Sequence, residues 1–135
     1  MIDLDSVRNY CLSKQGKITE EFPFDDEVLV FKLFGKIFLL TNVNNVPFSM
    51  NLKCDPQRTI ELRERYAAVQ PGYHMNKKMW NTVVADGSLP SHLLFELIDH
   101  SYNEVAKKLP KKFREKTVGR IEKKKQKGGR MLRKK

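Results

Sequence analysis

Two apolar runs with one glycine between them constrain this chain most: Glu27 to Phe34 (EVLVFKLF) and Lys36 to Thr41 (KIFLLT), joined at Gly35. Both are rich in Val, Leu, Ile and Phe, whose branched or aromatic side chains suit a pleated, half-buried surface. They predict a β-hairpin with a tight turn at Phe34-Gly35-Lys36. The same stretch excludes a membrane helix. Val28 to Leu40 is 13 residues long and is broken by Lys32, Gly35 and Lys36, well short of the roughly 20 apolar residues a bilayer needs.

The hairpin lies inside a block of period-two segments flanked by helical ones. Leu4, Val7, Cys11 and Leu12 recur at helical spacing, Asp3 or Asp5 can cap their start, and Gly16 stops them, so Asp3 to Lys14 reads as a helix. Ile18 to Phe22 reads as a first strand. After the turn residues Asn42, Asn44 and Asn45, the apolar Val46, Phe48, Met50 and Leu52 alternate with polar positions and Pro47, as in a sheet with one buried face. Asp55 then serves as N-cap and Pro56 as first residue of a helix reaching about Tyr66. Ala67–Pro71 reads as a connection, Gly72–Met75 as a short strand or edge, and Trp80–Ala85 as the last strand. Asp86-Gly87 turns the chain, and Ser88 is expected to cap a long helix with Pro90 in its first turn. Leu93, Leu94, Leu97, Ile98, Val105, Ala106 and Leu109 form the apolar stripe of that helix, which ends at Pro110. The expected class is α+β, a mostly antiparallel sheet with helices on one face.

At 135 residues the chain fits one folded unit, and 40% hydrophobic with 31% charged residues excludes collagen-like, mucin-like and wholly disordered chains. The net charge of +10 is unevenly placed. Residues 1–110 hold 13 Lys+Arg and 14 Asp+Glu, whereas residues 111–135 hold 13 Lys+Arg and two acids. Two parts are therefore expected: a near-neutral domain, 1–110, and a basic tail, 111–135, largely mobile when the protein is alone. The N-terminus, MIDLDS, is acidic where a secretory signal would be basic, and Cys11 and Cys54 give no disulfide framework. A cytoplasmic protein with reduced thiols is expected.

No catalytic motif emerges. His74, His92 and His100 form no HxH, HExxH or Cys/His cluster, and there is no P-loop, dinucleotide fingerprint or nucleophile elbow. Cys54, ahead of a helix N-terminus, is the better placed of the two thiols, but no base partners it. The acids Glu20, Glu21, Asp25, Asp26 and Glu27 suggest a hard cation but lack the calcium-loop pattern, and a solvated turn is the plainer account. No cofactor, metal or small-molecule substrate is implied by the residues.

The most distinctive segment is Pro71 to Val83, PGYHMNKKMWNTV. Tyr73 and Trp80 can stack on bases, Lys77 and Lys78 can meet phosphates, and His74 and Asn76 offer donors and acceptors, together a nucleic-acid surface. The plainer account makes the aromatics core anchors of the last strand and the lysines part of a turn.

With VFKLFGKIF (Val30–Phe38), NLKCDPQRTIELRERY (Asn51–Tyr66), DGSLPSHLL and IDHSYNEVAKKLP (within Asp86–Pro110), this segment gives the chain its resemblance to the MmcQ/YjbR-like family of small bacterial proteins. The stretches span nearly all of residues 1–110 in the family's order and spacing. The resemblance implies a curved antiparallel sheet similar to CyaY-like and type III secretion-chaperone-like folds, described as a double wing, and it implies DNA binding. Related folds bind metal ions or partner proteins, which supplies the alternatives. Met79 stands before Trp80 where the family pattern implies His. The resemblance implies a chain that ends near Pro110 or shortly after it, so the basic tail is expected to be an addition.

The tail residues Lys123, Lys124, Lys125, Lys127, Arg130, Arg133, Lys134 and Lys135, with Gly128-Gly129 as a hinge, suit sequence-independent contact with a polyanion through counterion release. The expected function is thus a non-enzymatic, monomeric nucleic-acid-binding protein. DNA is the first candidate partner and RNA the second; a peptide-binding module or frataxin-like metal binding is the alternative.

Overall fold

A computed structural model describes residues 2–72 and 76–117. The elements in chain order are α1 (Leu4–Leu12), β1 (Ile18–Glu21), β2 (Val28–Leu33), β3 (Lys36–Asn42), β4 (Ser49–Lys53), α2 (Pro56–Arg65), β5 (Val69–Pro71), β6 (Trp80–Val84), α3 (Ser91–Ala106) and α4 (Lys111–Arg114). The strands form one open sheet in the order β1-β2-β3-β4-β6-β5, every neighbouring pair antiparallel. The protein is α+β, as the alternation of strand and helix patterns predicts.

Alternation along the strands explains where the core lies. Leu29, Phe31 and Leu33 of β2, Met50 and Leu52 of β4 and Val83 of β6 point to the helical side and are buried with Val7 and Cys11 of α1 and Leu94, Leu97, Ile98 and Tyr102 of α3. Each such aliphatic side chain contributes roughly 1.5–3 kcal/mol by leaving water. The intervening Ser49 and Asn51 of β4 and Thr82 of β6 are half-exposed on the opposite, open face, Lys53 and Trp80 are half-exposed at the end of the sheet, and Val84 packs against the core. Cross-strand register pairs Ser49 with Val84, Asn51 with Thr82 and Lys53 with Trp80.

The β2–β3 hairpin turns through two residues with positive φ, Phe34 at 46° and Gly35 at 82°, the sense of twist that matches the strands. A phenylalanine rarely takes this conformation. Its ring stacks on Phe113 at 4.4 Å between centroids and 16° between planes, which offsets the strain. Two pairs beyond the turn the ladder is irregular: Phe31 pairs with Leu39 but Lys32 with Ile37, so Phe38 is an extra residue in β3. On the other side β3 meets β4 only at Leu39–Leu52 and Leu40–Asn51. Beyond those pairs Ser101 of α3 fills the gap: its hydroxyl accepts from the Lys53 N–H at 2.8 Å and donates to the Phe38 carbonyl at 2.5 Å.

Three details depart from the sequence pattern. Residues Val69–Pro71, expected as a connection, form an edge strand, a place where the missing N–H of Pro71 costs no ladder bond. Ser88 does not cap α3. Its N–H and hydroxyl both donate to Asp86 Oδ1, at 2.9 and 2.6 Å, and the helix starts three residues on, with Pro90 extended at its N-cap. The fourth strand begins only at Ser49, leaving Val46 in the preceding loop with 94% of its surface exposed.

Past Pro110 the packing continues. Besides Phe113 on Phe34, Thr117 is fully buried and its methyl, with Leu33, occupies the space that a Cβ on Gly16 would need, at 2.7 and 2.9 Å. Gly16 also has φ of 92°, so this loop is built around a glycine.

Candidate nucleic-acid interface

The turn that carries Asn76, Lys77 and Lys78 is fixed from both sides. Asn76 Oδ1 accepts the Lys78 N–H at 2.9 Å, and the Asn76 carbonyl accepts from Met79 and Trp80 at 3.1 and 2.9 Å, a side-chain-stabilised turn of the kind Asn favours. Arg63 of α2 clamps its far side. Its Nε donates to Asn81 Oδ1 at 2.8 Å, and its Nη2 donates to the carbonyls of Lys77 at 2.5 Å and Trp80 at 3.1 Å. Asn81 is buried and donates in turn to Thr59 Oγ1 at 3.3 Å. Gly72 closes on the same residue, its N–H donating to the Trp80 carbonyl at 2.9 Å, and a Cβ there would come 2.9 Å from that carbonyl oxygen.

So held, Asn76, Lys77 and Lys78 are exposed and Trp80 is half-exposed at the start of β6. The indole is not part of the buried core: it stands at the end of the sheet beside Lys53 and the end of α3, and its N–H has no hydrogen-bond partner among the described residues. The expected contacts Tyr73 and His74 lie outside the described residues, as do the tail residues Lys123, Lys124, Lys125, Lys127, Arg130, Arg133, Lys134 and Lys135.

What the sequence did not single out is the company Trp80 keeps. A hollow of about 490 Å³ at this end of the sheet is lined by Gly35, Lys36 and Ile37 from the start of β3, Lys53 from the end of β4, Trp80, and Val105 and Lys108 from the end of α3. Its ionisable lining residues are all lysines. Among the described residues none of Lys36, Lys53, Lys77, Lys78 and Lys108 makes an ion pair, whereas Lys14, Lys32 and Lys107 do. Burial, and then the nearby Lys108 ammonium, push the Lys53 amine below its ordinary value of 10.5. Lys53 could have been suspected from its outward place in the alternation of β4. Lys36, Lys108 and Arg63 carry no local signal, because only the tertiary fold brings them to Trp80.

Elsewhere the candidate chemistry is spent. Glu20 receives Arg8 Nε at 2.7 Å, Glu21 receives Lys32 at 3.2 Å, and Asp25 accepts the Glu27 and Val28 N–H groups at 2.9 Å each. Among the described residues no three His, Cys, Asp or Glu side chains converge as a metal site. Both thiols are buried; desolvation pushes Cys11 up to about 12 and raises Cys54 as well, the opposite of an activated nucleophile. His92 is exposed, and His100 accepts the Asp55 N–H at 3.0 Å. No helix among the described residues is long and apolar enough to cross a membrane.

An open six-stranded antiparallel sheet flanked by helices defines a small α+β protein. The YjbR family model matches residues 12–104, and the chain belongs to the YjbR family. Among its relatives, the uncharacterized protein YbdF of Escherichia coli O157:H7 is 44% identical over 92 residues, covering 67% of this chain and 75% of that protein. The uncharacterized protein YjbR of Escherichia coli K12 is 32% identical over 113 residues, covering 82% and 93%. A crystal structure of a Deinococcus radiodurans protein with a DUF419 domain matches with a TM-score of 0.79 and 42% identity, over 85% of this chain and 87% of that one. A Pseudomonas syringae protein, at 23% identity, shares the fold with a TM-score of 0.65 over 76% of this chain and 98% of its own.

Proposed function

We propose that this protein is a non-enzymatic nucleic-acid-binding module with DNA as its principal partner. The observation that carries the reading is the set of unpaired lysines around a half-exposed tryptophan: Lys77 and Lys78 on a rigid turn, Lys36, Lys53 and Lys108 around Trp80. Ammonium groups without carboxylate partners can neutralise phosphates, and an accessible indole can stack on a base. The composition of residues 118–135, with nine Lys+Arg and one Glu, supports a second, sequence-independent source of attraction.

A salt titration on duplex DNA and single-stranded RNA tests this with the full chain and with a chain ending at residue 117. If the basic segment neutralises about six phosphates, removing it flattens log K against log salt by roughly 5. Lys77→Gln with Lys78→Gln in the full chain flattens it by about 2 more and leaves the fold intact, since both side chains are exposed. Absence of binding to either polymer near physiological salt overturns the reading.

One observation favours a second reading, a peptide-binding module. The open face carries a shallow hollow of about 620 Å³ lined by Phe24, Val28, Ile37 and Leu40 among polar Asn and Thr side chains, with Phe24 67% exposed. A complex with a defined protein that survives both nuclease and loss of residues 118–135 would favour it.

A further inference from the structure

The lysine-lined hollow is more specific than a basic patch. Its three lysines come from three separate elements and line one hollow, and the Lys108 ammonium is close enough to act on Lys53. Lys36 opens β3, Lys53 closes β4 and Lys108 follows α3. Bringing like charges together is unfavourable, and the fold relieves it only in part. The carboxylate that acts on Lys53, Glu104, is engaged by Lys107 at 2.8 Å. A dianion seated there would offset all of this.

The walls are also held in place before any ligand arrives. The Lys53 N–H is tied to Ser101, whose hydroxyl bridges to Phe38 across the gap between β3 and β4. Trp80 is tied through its carbonyl to Arg63 and Gly72. Preorganisation of this kind lowers the ordering cost of binding. The remaining lining, Ile37, Val105 and the indole, is apolar, and the volume of about 490 Å³ falls in the range of small-ligand sites.

We propose that this hollow binds a nucleoside 5′-monophosphate, with the phosphate among Lys36, Lys53 and Lys108 and the base against Trp80. The ligand is a free nucleotide or the 5′-phosphorylated end of a strand; only the second source rests on the nucleic-acid reading above. A terminal phosphate monoester carries ≈ −1.5 to −2 charge at neutral pH and three acceptor oxygens, a better match to a hollow lined by three lysines than the single charge of an internal phosphodiester.

Trp80 is the only tryptophan in the chain, so its fluorescence reports on the hollow directly. The full chain is titrated with adenosine 5′-monophosphate, with adenosine, and with a short oligothymidylate carrying either a 5′-phosphate or a 5′-hydroxyl. Saturable quenching by the monophosphate is expected, with adenosine at least about tenfold weaker, because each charge-assisted hydrogen bond is worth about a factor of ten or more. Lys53→Met and Lys108→Met, each checked for an unchanged far-ultraviolet spectrum, should each weaken the monophosphate about tenfold and leave adenosine nearly unchanged. Equal responses to monophosphate and adenosine, no response to either, or quenching indifferent to both substitutions overturns the proposal. Preference for the 5′-phosphorylated strand, lost in the same variants, assigns the strand end as the source; monophosphate binding without that preference assigns the free nucleotide. Strand binding that ignores the 5′-phosphate while the monophosphate leaves Trp80 unchanged overturns the hollow but not the nucleic-acid reading. Monophosphate binding with no strand binding does the reverse.

Discussion

His100 shows how a single side chain can tie a helix start to another helix. It sits half-buried on α3 with Nε2 accepting the Asp55 N–H at 3.0 Å, and Asp55 is the N-cap of α2, its carboxylate receiving the Arg58 N–H at 3.1 Å. Only a neutral imidazole can accept that bond. Burial, then the adjacent Arg58 guanidinium, lower the His100 pKa below the ordinary 6.5, with Lys107 acting the same way and Glu104 and Asp55 opposing. The unfolded chain therefore binds this proton at higher pH than the folded chain does. The contribution is complete above about 6.5 and is lost as pH falls from there through the folded value. The carboxylates with lowered values, Glu20 and Glu21 among them, titrate below 4.5, so among the described residues with a shifted value the interval from 6.5 to 4.5 belongs to His100. Thermal unfolding across that interval should show the native protein losing stability with acid. His100→Asn should be less stable at pH 7.5 and should lack this part of the acid loss; a parallel pH profile in the two proteins would contradict the argument.

At the scale of elements, legibility follows how local the cause is. The hairpin at Phe34-Gly35, the Asp55-Pro56 start of α2 and the capping box of Asp3 and Ser6 depend on neighbours in sequence, and the residues announce them. Ser88 is the exception: the Asp86 carboxylate that takes its hydrogen bonds lies only two residues before it, and the same residues suit either a helix cap or a side-chain-stabilised turn. The site divides in the same way. Lys77, Lys78 and Trp80 were visible as a cluster in one segment, whereas Lys36, Lys53 and Lys108 are separated in sequence and join only because the start of β3 and the ends of β4 and α3 lie together. The extra residue Phe38 is silent in sequence too, yet it parts β3 from β4 and makes Ser101 necessary. Ser101→Ala should therefore cost about 1–3 kcal/mol, since it leaves the Lys53 N–H and the buried Phe38 carbonyl without partners. Ser101→Thr offers the same hydroxyl and should recover part of the loss if the added methyl fits. Urea denaturation of the two variants separates lost hydrogen bonds from altered packing, and an unchanged midpoint for the alanine variant would rule out the bridge as a stabilising element.

At the scale of the whole molecule, charge and packing divide the chain at different places. By charge the break falls at residue 110, because the acids nearly balance the bases before it and almost vanish after it. By packing the fold reaches Thr117. The segment from Lys111 to Thr117 lays Phe113 on Phe34, and Thr117 is buried against Gly16 and Leu33. Lys111, Lys112, Arg114 and Lys116 remain exposed along it, so the first turn of the basic region is anchored beside the Phe34-Gly35 turn. That turn supplies Gly35 and its neighbour Lys36 to the hollow at Trp80. The two basic features thus begin at the same end of the sheet. Comparing a chain ended at residue 117 with one ended at 110 isolates the anchor. Removing residues 111–117 takes away an aromatic pair worth about 0.5–1.5 kcal/mol beyond its buried area, empties the place of the buried Thr117 beside Gly16, and leaves the left-handed Phe34 without the contact that offsets its strain. The shorter chain should be less stable by roughly 2–4 kcal/mol and melt roughly 5–15 °C lower, measured by the far-ultraviolet signal at low ionic strength. Phe113→Ala in the longer chain should reproduce about half of that difference, because it removes the ring but keeps Thr117. Equal melting temperatures for the two truncations would mean that Phe34 holds its conformation unaided and that the packing boundary coincides with the charge boundary at residue 110.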